Sequence, residues 1–401
     1  MGGNADSAPC GNKLDTRKKT VVARMVLNST PPETAAAQAA FPANQSSGSP
    51  ADPSGDPLAS PALRGPGVWE SLRAALFGRP RALSCVQIGV TSLCPGRCVY
   101  CPHTTRAADW QGKHMRAETF AALWPLLRQA SRAHLQGWGE PLLHPRFMDF
   151  ARLALRAGCR VSTTTCGLRM DEDLARAIAD SGIDVVAFSL TGTDEASNAP
   201  RAGVPFARVV DAIRQFQAVR RARNAVHLEV HLAYLLLPSQ LDAVRRLPEL
   251  MRDLGVHAAV ISTLDYIPHP KLATEAFPPP RERIEAARRM LAEVAARAAR
   301  FGADVHYALP SDRPRPGGCR EEAARTLYVG VNGDLSPCVY ACVPGAPEAE
   351  RLVFDAVEHT QPLDVWNSPA WTNFRAALAS DTPPARCRAC PKRFEIADTE
   401  C

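Results

Sequence analysis

Short apolar runs alternate strictly with longer amphipathic segments between about residues 84 and 301 of this 401-residue chain. The short runs are typical of buried strands and the amphipathic segments of helices. The six predicted strands are SCVQIGVTSL, RAHLQ, CRVSTTT, IDVVAFSL, VHLEVHLAYLLL and HAAVIST. This alternation predicts a parallel sheet with right-handed crossovers, and we expect an α/β fold built as a partial, TIM-like (β/α)6 barrel. In such barrels the functional residues lie on loops after the carboxyl ends of the strands.

The regions on either side of this alternation differ from it in composition. Residues 1–65 are rich in Pro, Ser, Gly and Ala and contain few large apolar residues, so we expect a disordered, low-complexity leader. The segment 66–83, which contains VWESLRAALFGRP, is predicted to form a lead-in helix. We place the barrel at 84–303 and a small α+β domain at 304–401.

The composition of the whole chain is that of an ordinary globular protein, with 46% hydrophobic and 22% charged residues. The net charge of +6 is modest and no basic block is interleaved with aromatic residues, so the sequence predicts no nucleic-acid partner. No run approaches the roughly 18 apolar residues of a membrane span, so no membrane association is expected. The 13 cysteines, an odd number, argue against a disulfide framework. We expect a soluble, cytoplasmic protein with reduced thiols.

Three cysteines lie close together in the loop after the first predicted strand. The segment TSLCPGRCVYCPH contains Cys94, Cys98 and Cys101. Structural zinc requires four protein ligands, and His103 is too close behind Cys101 to complete such a set easily. Three thiolates could instead hold an iron–sulfur cluster in which one iron has no protein ligand.

The spacing Cys-x3-Cys-x2-Cys, with Tyr100 directly before the third cysteine, resembles the signature of the radical S-adenosylmethionine (SAM) enzymes. The resemblance implies that Cys94, Cys98 and Cys101 ligate three irons of a 4Fe-4S cluster and that SAM chelates the fourth. It also implies reductive cleavage of SAM to a 5'-deoxyadenosyl radical, which abstracts hydrogen from a substrate. A flavodoxin- or ferredoxin-type protein is the expected electron donor.

A second motif, GWGEP, follows the second predicted strand. It is similar to the Gly-Gly-Glu-Pro segment of this family, which contacts the amino group of SAM, although Trp138 separates the two glycines. The resemblance implies cofactor contacts for Gly137, Gly139, Glu140 and Pro141, and also for Tyr100 of the first motif. Glycines let a backbone approach a ligand closely, and a carboxylate can accept hydrogen bonds from an ammonium group. The alternative is an ordinary turn between a strand and a helix.

Three further positions carry the resemblance less directly. Ser189 ends the fourth predicted strand, where the family often places a polar residue near the cofactor. Arg201 follows in a loop and could pair with the cofactor carboxylate, or could be an ordinary surface arginine. Cys166 stands where the family often has asparagine, and is either a packed small residue or a thiol near the active site.

The fifth predicted strand contains polar residues at every second position. His227, Glu229 and His231 alternate with apolar residues, which places the three on one face of the strand. We expect this face to point into the barrel lumen, so that the three are candidate catalytic residues facing the substrate. The alternative is a solvated or internally satisfied polar face.

The last part of the chain contains a second cysteine pattern. Cys319 is followed by thirteen residues, Gly333, four residues and Cys338, and Cys387-x2-Cys390 comes later. The segment TLYVGVNGDLSPC predicts two short strands joined by a turn. The pattern is similar to the auxiliary-cluster domain called SPASM, or to its shortened twitch form. The resemblance implies one auxiliary 4Fe-4S cluster on these four cysteines, which would accept an electron during substrate oxidation.

Alternatives for this second site remain open. Cys342 and Cys401 compete for a place among the ligands. A zinc site on the same four cysteines is the other possibility.

The substrate cannot be read from the sequence. The family resemblance implies maturation of a peptide, a protein or a cofactor, or an oxidation assisted by the auxiliary cluster. A small-molecule dehydrogenase is the alternative enzyme. An iron–sulfur or zinc-binding scaffold without activity would explain the cysteines but not GWGEP.

Overall fold

The computed structural model describes residues 55–63, 65, 82–276, 281–314 and 318–396. Most of the expected leader, almost all of the lead-in helix predicted at 66–83, and Cys401 lie outside these residues. None of the helices in the described ranges combines the length and apolar character needed to cross a bilayer.

The strands of the described residues form one large sheet and one small pair. They are β1 (Cys85–Ile88), β2 (Arg132–Leu135), β3 (Arg160–Thr165), β4 (Val185–Leu190), β5 (Glu229–Leu236), β6 (Ala258–Thr263), β7 (Asp304–Tyr307), β8 (Pro310–Pro314), β9 (Thr326–Val329), β10 (Asp334–Ser336), β11 (Asp355–Ala356) and β12 (Phe394–Ile396). The large sheet has the order β11-β10-β9-β1-β2-β3-β4-β5-β6-β7, and β8 pairs with β12.

Helices connect the strands of the large sheet. The described α-helices are α1 (Pro102–Thr105), α2 (Ala117–Ala121), α3 (Trp124–Gln129), α4 (Phe147–Arg156), α5 (Glu172–Ala179), α6 (Phe206–Ala222), α7 (Leu247–Leu254), α8 (Arg281–Ala299), α9 (Pro362–Asn367), α10 (Pro369–Ala379) and α11 (Ala385–Arg388). The predicted alternation of strands and helices is confirmed.

The strands β1 to β7 are all parallel to their neighbours in sequence order. Period-two alternation divides each strand between two faces. In β4, Val186 and Phe188 are fully buried in the core, whereas Ala187 and Ser189 line the lumen. The six predicted strands are present. A seventh strand, β7, was not predicted and extends the parallel sheet past residue 303.

The C-terminal part of the chain is joined to the same sheet. The strands β9 and β10 form the predicted hairpin, whose turn contains Gly333 at a positive φ of 89°. A glycine is suited to this backbone conformation because it has no Cβ. The strand β9 also pairs in parallel with β1, which was not predicted. The expected α/β barrel with a C-terminal α+β unit is confirmed, and the two share one sheet.

The expectation of disorder throughout residues 1–65 is wrong for 55–63. Leu58 and Leu63 are buried in the main core. The Asp56 carboxylate accepts hydrogen bonds of 2.9 and 2.6 Å from the Arg146 guanidinium, and Arg156 donates to the Leu58 carbonyl at 2.8 Å. The leader is poor in apolar residues overall, so its composition did not predict that Leu58 and Leu63 join the core or that Asp56 pairs with Arg146, directly before α4.

Candidate functional site

The three cysteines of the first motif lie on the loop between β1 and α1. Backbone hydrogen bonds join this loop to residues 200–202, with Arg97 donating to the Ala202 carbonyl at 2.6 Å. A Cβ at Gly96 would lie 3.6 Å from the sulfurs of both Cys94 and Cys98, so these two sulfurs flank the same glycine. The barrel therefore holds the thiols of this motif together on one loop.

Burial controls the acidity of these thiols. It raises the pKa of Cys94 to about 11 and that of Cys101 to about 12, and the neighbouring thiols add to both shifts. Metal ligation requires the deprotonated form of a thiol. Binding of a cationic iron centre to this loop should therefore release protons.

Three of the predicted cofactor residues meet beside this loop. Arg201 is 5% exposed and donates from Nη1 to Ser189 Oγ at 2.5 Å. The Tyr100 hydroxyl is hydrogen-bonded to the side chains of both Arg201 and Cys98. The Nε atom of Arg201 has no hydrogen-bond partner among the described residues. Arg201 is thus a buried cation with a free donor, and the surface alternative for it is wrong.

The GWGEP loop is pressed against the end of β1. A Cβ at Gly137 would lie 2.7 Å from the Cα of Gly89, and one at Gly139 would overlap the carbonyl oxygen of Thr91. Any larger residue at these two positions would push the loop away. The close backbone approach expected of these glycines is made to the cysteine-bearing segment.

Glu140 connects this loop to the next strand. Its buried carboxylate accepts hydrogen bonds from Thr165 Oγ1 at 2.7 Å, the Cys166 amide at 2.6 Å and the Leu142 amide at 3.2 Å. Pro141 begins the 3-10 turn that follows. A carboxylate has about four acceptor positions, so one is left for a ligand. Contact of Glu140 with the SAM amino group stays a prediction.

Cys166 was expected to be either a packed small residue or a thiol near the site, and it has features of both. It is 6% exposed and packs in the main core. Burial raises its pKa, and the nearby charges of Glu140 and Cys94 raise it further. Cys166 is therefore a packed thiol that also lies close to the cysteine loop.

The barrel encloses a lumen cavity of about 390 Å³ that extends to Tyr100. Its polar lining includes Gln87, Arg132, His134, Gln136, Ser162, Thr164, Ser189 and Ser262. Burial lowers the pKa of His134 to about 4, and its Nδ1 lies 2.9 Å from Ser162 Oγ. Sequence reasoning missed His134, although period two in RAHLQ places it opposite the core-facing Ala133 and Leu135.

The expectation for the fifth strand is wrong for His227. This residue is exposed in the turn before β5, which begins only at Glu229. His231 is fully buried and its Nε2 lies 2.8 Å from Glu229 Oε2, whereas its Nδ1 has no hydrogen-bond partner among the described residues. Both lie toward the amino end of β5, whereas active-site loops follow the carboxyl ends. Neither residue is part of the lumen cavity lining, so the structure does not place them where a substrate in the lumen would lie.

Four cysteines from the C-terminal region line a second cavity of about 470 Å³. They are Cys319, Cys338, Cys387 and Cys390. Cys342 does not line it, and its sulfur lies 3.6 Å from Arg351 Nη2 and 3.8 Å from Asp334 Oδ2. Among the described residues, no three His, Cys, Asp or Glu side chains are placed to hold a single metal ion. The cavity supports the four-cysteine set over any set with Cys342.

A buried ion group missed by sequence reasoning lines the same cavity. Lys392 Nζ lies 2.9 Å from Asp265 Oδ2 and 3.0 Å from Glu321 Oε1. The Arg320 amide donates to the Lys392 carbonyl at 2.7 Å. Lys392 therefore links both ends of the cysteine pattern to the loop after β6.

The two cavities share part of their lining. Pro337, Cys338 and Tyr340 line both the lumen and the four-cysteine cavity, and so does Glu321. We call residues 337–340 the shared wall. An auxiliary cluster held by Cys338 would thus lie beside the lumen.

Family models match two parts of the chain. The model described as the radical SAM superfamily matches residues 88–263, and the SPASM model, described as an iron-sulfur cluster-binding domain, matches residues 319–391. The first span runs from the end of β1 to the end of β6 and contains the three-cysteine loop. The second contains all four cysteines of the C-terminal cavity.

Relatives and solved structures agree with these matches. The PqqA peptide cyclase of Gluconobacter oxydans (strain 621H) is 28% identical over 319 residues, covering 76% of this chain and 81% of that protein. Streptococcus suis SuiB bound to S-adenosylmethionine has a TM-score of 0.58 at 14% identity, over 78% of this chain and 72% of that chain. Native anSMEcpe with bound AdoMet and Cp18Cys peptide has a TM-score of 0.56 at 14% identity, over 78% and 92%. These two structures show a shared fold.

Both cysteine sets fit the cofactors of these families. A 4Fe-4S cluster held by the three-cysteine loop would have one iron without a protein ligand, and Arg201 offers an unpartnered buried donor close to Cys98. The four-cysteine cavity would supply one thiolate for each iron of a second cluster. The chain belongs to the radical SAM superfamily of enzymes, carries a SPASM-type auxiliary-cluster domain in its C-terminal part, and uses SAM and 4Fe-4S clusters as its cofactors.

Proposed function

We propose that this enzyme modifies a peptide or protein substrate by radical chemistry that starts from SAM and uses one auxiliary cluster as an electron acceptor. The observation that carries the proposal is the shared wall, because it places the four-cysteine cavity directly beside the lumen. The likeness to a PqqA peptide cyclase over 76% of the chain supports the peptide class.

The cofactors supply the difficult chemistry, namely an electron that cleaves the SAM sulfonium and an acceptor for the electron that the substrate loses. The chain binds and orients. Arg201 would pair with the SAM carboxylate through its free Nε, and Ser189 and Tyr100 fix the guanidinium from two sides. Glu140 holds the GWGEP loop in place and accepts from the SAM ammonium. The lumen would shield the radical in part from bulk water.

Two further proposals concern the setting of the enzyme. A flavodoxin- or ferredoxin-type protein would deliver the electron to the three-cysteine loop. A cytoplasmic location would keep the cluster-ligating thiols reduced.

Anaerobic incubation of reconstituted protein with SAM and dithionite tests the enzyme class. We expect 5'-deoxyadenosine, which a scaffold protein would not form. Substrate class is tested with deuterated peptides encoded beside the gene and, separately, with a deuterated small-molecule extract of the same cells. Deuterium should enter 5'-deoxyadenosine from a peptide. Transfer from the small-molecule extract alone would contradict the peptide class.

A further inference from the structure

Trp138 is the residue that separates the glycines of the GWGEP loop. Gly137 and Gly139, on either side of it, both pack against the end of β1 without room for a Cβ. The backbone of Trp138 is therefore held from both sides. Its side chain is partly buried and leaves the barrel loop toward the C-terminal domain.

Three aromatic side chains from separate parts of the chain meet at this point. The ring centroid of Trp138 lies 5.7 Å from that of Tyr266 and 6.1 Å from that of Tyr340, and the two tyrosines are 6.5 Å apart. Tyr266 belongs to the loop after β6 and Tyr340 to the shared wall. We call these three residues the aromatic cluster. Aromatic packing of this kind stabilises the junction of the three segments.

A directional bond joins the same tryptophan to the shared wall. Trp138 Nε1 donates to the Val339 carbonyl at 3.1 Å. Val339 lies between Cys338, which lines both cavities, and Tyr340. One side chain of the GWGEP loop thus restrains the segment that carries an auxiliary-cluster ligand.

A second connection runs from the cysteine loop to the same region. Arg106, directly after α1, donates from Nη2 to Glu350 Oε2 at 2.5 Å and is hydrogen-bonded to the Tyr266 side chain. Both motif loops of the barrel therefore contact the C-terminal domain. The contact through Trp138 is the one that reaches Cys338.

We propose that Trp138 is a positioning residue that couples the SAM-binding loop to the Cys338 segment, so that SAM binding orders the shared wall beside the lumen. The inference rests on the proposed placement of SAM at the GWGEP loop. Such couplings usually change the affinity at the other site by about 5- to 150-fold. This coupling would prepare the electron acceptor only when the cofactor is in place.

Hydrogen exchange of the reconstituted holoenzyme, with and without SAM, tests the proposal. We expect SAM to slow exchange in 337–342 about fivefold, the lower end of that coupling range. Trp138→Ala should lose this effect, and because a coupling between two sites is reciprocal its Kd for SAM should rise by no more than about fivefold. Trp138→Phe, which keeps the aromatic contacts but not the N–H, should retain at least half of the SAM-dependent protection. A purely structural role would change exchange equally with and without SAM.

Trp110→Phe is the matched control. Trp110 Nε1 also donates to a backbone carbonyl, that of Ser92 at 2.9 Å, but within the barrel. This variant should keep the SAM-dependent protection of 337–342. The inference is overturned if Trp138→Ala keeps that protection, if Trp138→Phe loses as much as Trp138→Ala, or if wild type binds SAM without protecting 337–342. Failure of wild type to bind SAM would overturn the proposed function as well.

Discussion

The two cysteine sites of this protein are built in opposite ways. The three-cysteine set lies on a single loop that is joined to the barrel by backbone hydrogen bonds to residues 200–202. The four-cysteine set is collected from separate segments between Cys319 and Cys390 around one cavity. A local site can form once its loop is in place, whereas a dispersed site requires distant segments to converge.

The hydrophobic cores around the two cysteine sites also differ in size. The barrel is stabilised by the main hydrophobic core, which extends through most of the sheet and its helices. Around the four-cysteine cavity the separate core cluster has only Ala323, Phe374 and Leu378 as fully buried members among the described residues. Small units with little core often depend on bound metal for their folding. We therefore expect the barrel to fold without its cluster and the C-terminal domain to depend on its own.

The largest effect should follow from removing the local site. Replacement of Cys94, Cys98 and Cys101 by alanine should reduce iron from about eight to about four per chain, because one of two 4Fe-4S clusters is lost. Cleavage of SAM should be abolished while the circular dichroism of the barrel is retained. Iron assay and 5'-deoxyadenosine detection measure this, and continued cleavage would remove the basis of the site assignment.

Removing the dispersed site should have a smaller effect on cleavage and a larger one on structure. In Cys387→Ala/Cys390→Ala, uncoupled SAM cleavage should survive, because the backbone hydrogen bonds that hold the three-cysteine loop run to residues 200–202 of the barrel. Amide exchange in α10 should accelerate, since its residues Phe374 and Leu378 belong to the small core that packs against Cys319 and Cys387. If a folded double variant lost cleavage completely, the auxiliary cluster would lie on the path that brings the electron in.

The stability of the barrel should respond to packing instead of metal. Leu58→Ala should lower the free energy of unfolding of the barrel by about 2 kcal/mol, since it removes a buried side chain that contacts the main core. The matched control is Val226→Ala, at a side chain that is 78% exposed, with an expected change within about 0.5 kcal/mol. Urea denaturation followed by fluorescence measures both. Equal effects of the two variants would show that 55–63 does not stabilise the barrel.

The smallest expected effect is on the pH dependence of stability, and it comes from His134 in the lumen. Because burial lowers the pKa of His134 to about 4, below the roughly 6.5 of an unfolded histidine, the unfolded chain binds a proton that the folded chain excludes. His134 therefore stabilises the barrel fully above about pH 6.5, and this contribution declines as the pH falls toward 4. Between about pH 7 and 5.5 the loss should be about 1 kcal/mol. His134→Gln should remove that part of the pH dependence, and an unchanged profile would contradict the shift.

The main features of the barrel could be predicted because their signals are local. Alternating segments such as IDVVAFSL and FARVVDAIRQFQAVRRA each carry their own period, and both cysteine sets are marked by spacing. The strand β7 was missed because DVHY is a short, partly exposed edge strand. The pairing of β9 with β1 joins residues far apart in the chain and leaves no local pattern.

The same contrast between local sequence signals and long-range contacts holds for the site residues. The lack of a Cβ at Gly139 predicted a close backbone approach but not that Thr91 is the partner, and the partners of Glu140 come from β3 and could not be read from GWGEP. His227 was misassigned because a strand pattern does not fix where its strand begins. The contacts of Lys392 with Asp265 and Glu321 depend on the convergence of three segments, which the sequence does not encode locally.

The parallel pairing of β9 with β1 constrains how this protein can be divided or recombined. The register joins Cys85 to Thr326 and Ile88 to Val329. The strand β1, which leads into the three-cysteine loop, is therefore an interior strand of the sheet only because β9 of the C-terminal domain pairs with it. A chain ending before β9 would turn β1 into an open edge, and open edges promote aggregation. A chimaera that exchanged C-terminal domains between relatives would have to preserve the pairing of β9 with β1. The barrel and the C-terminal domain therefore form one structural unit, although their cofactor sites lie on separate segments of the chain.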